Sequence, residues 1–183
     1  MDQGLIPRRY AKALLMLATE RHTADAVYGA MQQLDAAFAS EPQLQAGMTN
    51  PAVSNGDKLK LILTASGAEG VAATEMEGFV ALLVRNRRLS FLRQCALAYV
   101  RLYREARRIF SVAITSAAPL QSEELRRIKT IVERQLPEGA TAEYTEAVAP
   151  ELIGGFIVSI DNEMLDASVA NELKQLRLKL LSH

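Results

Sequence analysis

Three sets of side chains in this 183-residue sequence have types and spacings that suggest chemistry: the carboxylates Asp161, Glu163 and Asp166, the thiol and imidazoles of Cys95, His22 and His183, and the arginines between residues 85 and 108. Clustered carboxylates can hold a hard cation or act as acid and base. Here they fall at an expected hairpin turn and just before an expected helix, where turn chemistry and helix-dipole complementation account for them. The histidines sit near chain or helix ends with no paired Ser, Cys or carboxylate motif, which leaves acid–base and nucleophilic catalysis without support. One cysteine cannot form an internal disulfide, and one Cys with two His is too small a set for structural zinc. Cys95 falls in an apolar helical stretch and is read as packing. No phosphate-binding G-x-x-x-x-G-K-[ST] loop occurs, and Gly154-Gly155 lacks the G-x-G-x-x-G spacing, so neither a catalytic residue nor a cofactor or metal is expected. Arg101, Arg104, Arg107 and Arg108, with Arg85, Arg87 and Arg88, offer phosphate contacts, and a helical nucleic-acid-binding module is the competing function. Glu105 interrupts that run and the net charge is zero, which favours a solvated face.

The hydrophobic content of 49% is that of a chain with a packed core. No run reaches the roughly 18 to 20 apolar residues needed to span a bilayer, and the opening MDQGLIPRRYAKALL resembles neither a signal nor a transit peptide, so a soluble protein is expected. Residues 1–108 carry 14 Lys+Arg against 10 Asp+Glu, and residues 109–183 carry 7 against 11. The opposite imbalance of the two halves suggests two units with different surfaces.

Up to about residue 108 the apolar period is that of helices. Pro7 suits a first helical position, and Tyr10, Leu14 and Leu17 follow on one face of a helix to about Arg21. Val27, Met31, Leu34 and Phe38 mark a second helix. Glu41 to Met48 is a short third one, stopped at Asn50-Pro51. Ser54 with Asp57 resembles a capping box opening a fourth helix with Leu59, Ile62 and Leu63, and Thr74 with Glu77 predicts the start of a fifth through Phe79, Leu82 and Leu83. Gly67 to Gly70 is a loop between them. Leu92, Ala96, Tyr99 and Tyr103 stripe a sixth. Six amphipathic helices with short connections predict an N-terminal six-helix bundle over residues 1–108.

Near residue 109 the period changes to two. Phe110 to Ser116 predicts a strand, Ser122 caps a helix striped by Leu125, Ile128, Val132 and Leu136, and Ala142 to Val148 is a weaker strand. Leu152 to Ile160 is the strongest β signal, with Phe156, Val158 and Ile160 on one face and a double glycine suited to a bulge or a close backbone approach. Asp161-Asn162-Glu163 predicts a hairpin turn, and Ser168 the cap of a last helix with Val169, Leu173, Leu176 and Leu180. The fold class expected is mainly α with a small C-terminal α/β domain, residues 109–183, built on a short sheet.

Several segments, in order along the whole chain, carry a family likeness. Arg9-Tyr10-Ala11-Lys12-Ala13-Leu14 resembles an R-Y-A-x-A-L start. Asn50-Pro51 with Ser54 and Lys58 is similar to N-P-x-[VI]-S-x-x-x-K, and Phe79 through Leu89 to F-x-x-L-L-x-x-N-x-R-L. Val112 through Leu120, Leu152-Ile153-Gly154-Gly155-Phe156 and Asp166-Ala167-Ser168-Val169 resemble V-x-x-x-T/S-A-x-P-L, L-I-G-G-[FIV] and D-[AGS]-S-[VIL]. These are motifs of ATP synthase delta subunits and of the mitochondrial oligomycin-sensitivity-conferring protein.

The resemblance implies a non-catalytic stator subunit of the rotary proton-translocating ATP synthase, peripheral on the cytoplasmic face of a bacterial inner membrane and membrane-associated only through the complex. It implies that the helical domain grips N-terminal segments of the alpha subunits of the catalytic head, in a groove of the first and penultimate bundle helices. The second domain would hold the b-subunit dimer of the peripheral stalk. By position it points to Tyr10, Ala11, Ala13 and Leu14 on the first helix, and to Phe91 and Leu92 at the start of the partner helix. Helix-in-groove binding needs small residues for close approach and larger anchors.

Overall fold

The computed structural model describes residues 4–152, 154–161 and 163–168. The chain separates into two compact units, Met1–Ala106 and Arg107–His183.

The first unit contains six α-helices: α1 (Leu5–Glu20), α2 (Ala24–Ser40), α3 (Pro42–Thr49), α4 (Asn55–Ser66), α5 (Gly70–Arg85) and α6 (Leu92–Arg107), with a 3₁₀ turn over Leu89–Phe91. Two predicted apolar stripes are buried throughout, Val27, Met31, Leu34 and Phe38 on α2 and Leu92, Ala96, Tyr99 and Tyr103 on α6, whereas Leu17 on the predicted α1 stripe and Leu82 on that of α5 are exposed. Pro7 is the third helical residue, not the first; the first four N–H groups of a helix lack acceptors, so a proline is tolerated there too. Ser54 caps α4 as expected, its hydroxyl accepting from the Asp57 N–H at 3.1 Å.

The start of α5 differs from the sequence reading. The helix begins at Gly70, and Thr74 lies inside it, its hydroxyl donating to the Gly70 carbonyl at 3.3 Å. Ala72, Glu75 and Met76 extend the buried face around Thr74, and that packing outweighs the local T-x-x-E signal.

Gly67 ends α4 in the left-handed conformation (φ 55°), with its N–H on the Thr64 carbonyl and the Ala68 N–H on that of Leu63. This pair of bonds satisfies helix-end carbonyls only if residue 67 tolerates positive φ. A Cβ at Gly67 would also clash with Gln33 Oε1, the end of a flexible side chain. Gly67→Ala should therefore cost about 1–2 kcal/mol in denaturant unfolding. Gly78→Ala, in the middle of α5 with nothing within 4 Å of its Cβ, should instead gain about 0.5–1 kcal/mol.

An aromatic network joins α2 to α6. Tyr28 and Tyr103 stack with centroids 4.2 Å apart, and Tyr99 continues the stack. Tyr103 donates to Asp25 at 2.6 Å, Tyr99 to the Ala24 carbonyl at 3.2 Å, and Tyr28 Oη accepts from Arg104 Nε at 2.9 Å. Cys95 is buried beside this layer, and desolvation pushes its thiol from the ordinary 9.0 up to about 12. Burial raises the Tyr99 hydroxyl in the same direction. The unfolded chain ionises first, so these groups leave stability untouched below pH 9 and erode it as pH climbs from there towards 12. At neutral pH Cys95 should react with a water-soluble thiol reagent only as fast as the bundle opens, a rate that added denaturant should raise.

The second unit is a four-stranded mixed sheet with order β2-β1-β3-β4, formed by β1 (Ile109–Ser116), β2 (Thr141–Val148), β3 (Gly155–Ile160) and β4 (Glu163–Ser168). Helix α7 (Ser122–Gln135) provides the crossover that lets β1 and β2 run parallel. Val112, Ile114, Ile128, Val132 and Val158 form its core, with Phe156 and Ile160 packed against it. The cap of α7 lies one residue before the predicted Ser122, where Glu124 accepts from the Gln121 N–H at 3.0 Å. Gly155 opens β3 at φ 78°, and the β1–β3 register runs on from Ser116↔Phe156 to Val112↔Ile160 without a bulge. The glycine is thus required by a left-handed entry into the strand.

Residues 163–168 correct the sequence reading: they form a strand paired antiparallel with β3, where a turn and a helix cap were expected. The last-helix stripe Val169, Leu173, Leu176 and Leu180 lies outside the described residues. Asp161 turns the chain at φ 48°, its carboxylate accepting from the Ser111 N–H at 3.0 Å while its own N–H donates to the Ser111 carbonyl at 2.8 Å. It serves the turn.

A candidate groove between the first and fifth helices

Two side-chain contacts place α1 and α5 side by side and antiparallel. Near the end of α1, Arg21 Nη1 meets Glu75 Oε1 at 3.1 Å. Towards its start, Tyr10 Oη accepts from Arg88 Nη1 at 3.2 Å, with the guanidinium 5.6 Å from the ring centroid. Glu75 is only 6% exposed and Arg21 more than half, so losing Arg21 would leave a buried carboxylate uncompensated, whereas losing Glu75 would leave Arg21 to water.

The outer flanks of these two helices stay apolar and open. Leu17 lies on the stripe of Tyr10 and Arg21 (i, i+7, i+11), and Leu82 on the stripe of Glu75 (i, i+7), so both flank the α1–α5 seam. Next to them, Ala13 and Met16 are exposed on α1, and Val71, Gly78 and Ala81 on α5. Met16 is 65% and Val71 60% exposed, far beyond what a core-facing helix leaves to water. Small residues, Ala13, Gly78 and Ala81, lie between the larger ones. These exposed small and aliphatic side chains border the outer side of the seam, the α1–α5 channel, and small residues permit close approach of a helix backbone.

The sequence-predicted residues separate by depth. Ala11 and Leu14 are buried in the bundle, and so is Leu92, the first residue of α6. Tyr10 is half-buried beneath Arg88, Ala13 is open to solvent on the seam side, and Phe91 is half-buried at the end of the 3₁₀ turn. Reasoning from the sequence did not single out Met16, Val71, Gly78 or Ala81, and it placed Leu82 on the apolar stripe of the fifth helix, where the structure leaves it 42% exposed. The available signal was an apolar arc on α1 and α5 wider than one core-facing stripe requires.

The arginines do not make one free cationic face. Arg104 is held by Tyr28, Arg88 by Tyr10, and Arg101 Nε pairs with Glu105 at 3.1 Å. Among the described residues no group of three or more His, Cys, Asp or Glu could hold a metal ion, and no helix is long and apolar enough to cross a membrane.

Comparison with known proteins agrees with the fold and the motifs. The chain is 37% identical to the ATP synthase subunit delta of Phocaeicola vulgatus, over 98% of this chain and 95% of that one. It is 36% identical to that of Parabacteroides distasonis (100% and 99%) and 30% identical to that of Streptococcus pyogenes (98% and 97%). Among solved structures, a chain of the Toxoplasma gondii mitochondrial ATP synthase hexamer shares the fold with a TM-score of 0.68, covering 96% of this chain and 97% of its own at 23% identity. The family model described as ATP synthase delta (OSCP) subunit matches residues 6–180, and the chain therefore belongs to that family.

Proposed function

We infer that the chain is a stator subunit of a rotary ATP synthase, and that the α1–α5 channel receives the amphipathic N-terminal segment of an alpha subunit of the catalytic head. The observation that carries this reading is the pair of facing apolar flanks, Ala13, Met16 and Leu17 against Val71, Gly78 and Leu82, on two helices already tied together by Arg21–Glu75 and Arg88–Tyr10. Ala11 and Leu14 lie beneath as core, while Tyr10 and Ala13 border the channel. The second unit, in the same proposal, holds the b-subunit dimer, and the protein sits on the cytoplasmic face of the membrane through the complex alone.

A stator must resist torque, so it is a slowly dissociating clamp. An overall affinity near nanomolar corresponds to about −12 kcal/mol and is within reach of a standard-size interface. One alpha segment can supply less if the second unit adds avidity. The test is calorimetric titration of the full chain with a peptide of the alpha N-terminal segment from the same organism. Saturable one-to-one binding is expected; no binding at high micromolar peptide would end this reading of the helical unit.

A further inference from the structure

Away from the α1–α5 channel, Lys58 is 7% exposed and its side chain has no hydrogen-bond or ion-pair partner among the described residues. It lines an open cavity of about 450 Å³ where the end of α3, the start of α4 and the segment after α5 converge. No buried side-chain nitrogen among the described residues lacks both a partner and solvent, so the Lys58 ammonium reaches water through this cavity. Arg87 lines the same cavity and also makes no ion pair among the described residues. No carboxylate lines it, and that of the neighbouring Asp57 is turned onto the Ser54 hydroxyl at 2.6 Å. Asn55, the first residue of α4, and Thr49 contribute polar groups, and the first-turn amides of Asn55 and Gly56 have no acceptor within the helix.

We propose that this cavity is an oxyanion site for a phosphate group, held between the Lys58 ammonium and the Arg87 guanidinium at the N-terminus of α4. Burying an ammonium without a counter-charge is costly, and an anion in the cavity removes that cost. Two cations and the helix amides match a group with about two negative charges and tetrahedrally arranged acceptors. A carboxylate, with one charge and two coplanar oxygens, would leave one cation uncompensated. The cavity is larger than a phosphate ion, and Val84 and Leu89 on its wall suit the organic part of a phosphate ester.

The full chain, labelled with ¹⁵N, should be titrated at fixed ionic strength with inorganic phosphate, with adenosine monophosphate and with acetate. Saturable shifts of the Asn55 and Gly56 amides are expected with phosphate, and tighter saturation with the nucleotide would identify an ester as the occupant. Lys58→Met, which keeps length and apolar packing, and the surface change Arg87→Gln should each weaken binding about tenfold or more, the loss of one charge-assisted bond. Phosphate should also raise the melting temperature of the parent chain and leave that of Lys58→Met unmoved. Absence of saturation by tens of millimolar phosphate, equal binding of acetate, or undiminished binding by both variants would overturn the proposal.

Discussion

Ala13→Asp should abolish measurable binding of the alpha N-terminal peptide while the bundle melts within a few degrees of the parent. Ala13 is exposed in the free protein, so an aspartate there is solvated and costs only the propensity difference, about half a kcal/mol. Once a helix lies in the channel the same carboxylate is buried without a partner, at about 3 kcal/mol or a hundredfold in affinity. Gly78→Trp gives an independent check from the opposite wall, because open space surrounds its Cβ and the indole can fill the channel without moving the backbone. Both variants are read by the same calorimetric titration. Undiminished binding by both would move the alpha contact off the α1–α5 seam.

The largest stability effect is expected at the α2–α6 layer. Tyr99 is fully buried, stacks on Tyr103 and donates to the Ala24 carbonyl. Tyr99→Ala removes a ring and its bond together, at about 3–5 kcal/mol in urea unfolding. Met31→Ala, also fully buried, should cost about 2–5 kcal/mol through the cavity it leaves. Either is a large share of the roughly 5–15 kcal/mol that holds a domain together. Tyr99→Phe keeps the ring and should lose only about 1 kcal/mol. A Tyr99→Ala variant as stable as the parent would show that this layer does not anchor the bundle.

Helical periodicity made the six-helix bundle readable because each helix buries one stripe, and every residue of the α2 and α6 stripes is in the core. Local signals read less well where packing or turn geometry competes with them. The Thr74 capping pair lies within a helix whose buried face begins earlier, at Ala72. Strand β4 was missed because Asp166-Ala167-Ser168 has the composition of a helix cap, whereas its pairing with β3 is a long-range choice that no local pattern encodes.

The channel was half legible. A sequence motif marks the first helix without separating residues facing the bundle from those facing a partner. Of Tyr10, Ala11, Ala13 and Leu14, two prove to be core, and the opposite wall on α5 emerges only once the Arg21–Glu75 contact sets the two helices together. As a member of the delta subunit family, the protein is a structural part of the synthase, and its surface is where its function lies.

The strand order bears on how the chain is made. β1 is an inner strand, with β2 on one side and β3, encoded later, on the other. The helical unit is complete at Ala106 and can close while the ribosome is still translating the sheet. A nascent chain stalled before Gly155 would hold β1 with one edge unpaired. Until Phe156 to Ile160 have emerged, that edge is open to pairing with a neighbouring chain in addition to the outer edge of β2, so premature termination in this stretch should yield aggregates rather than a soluble half.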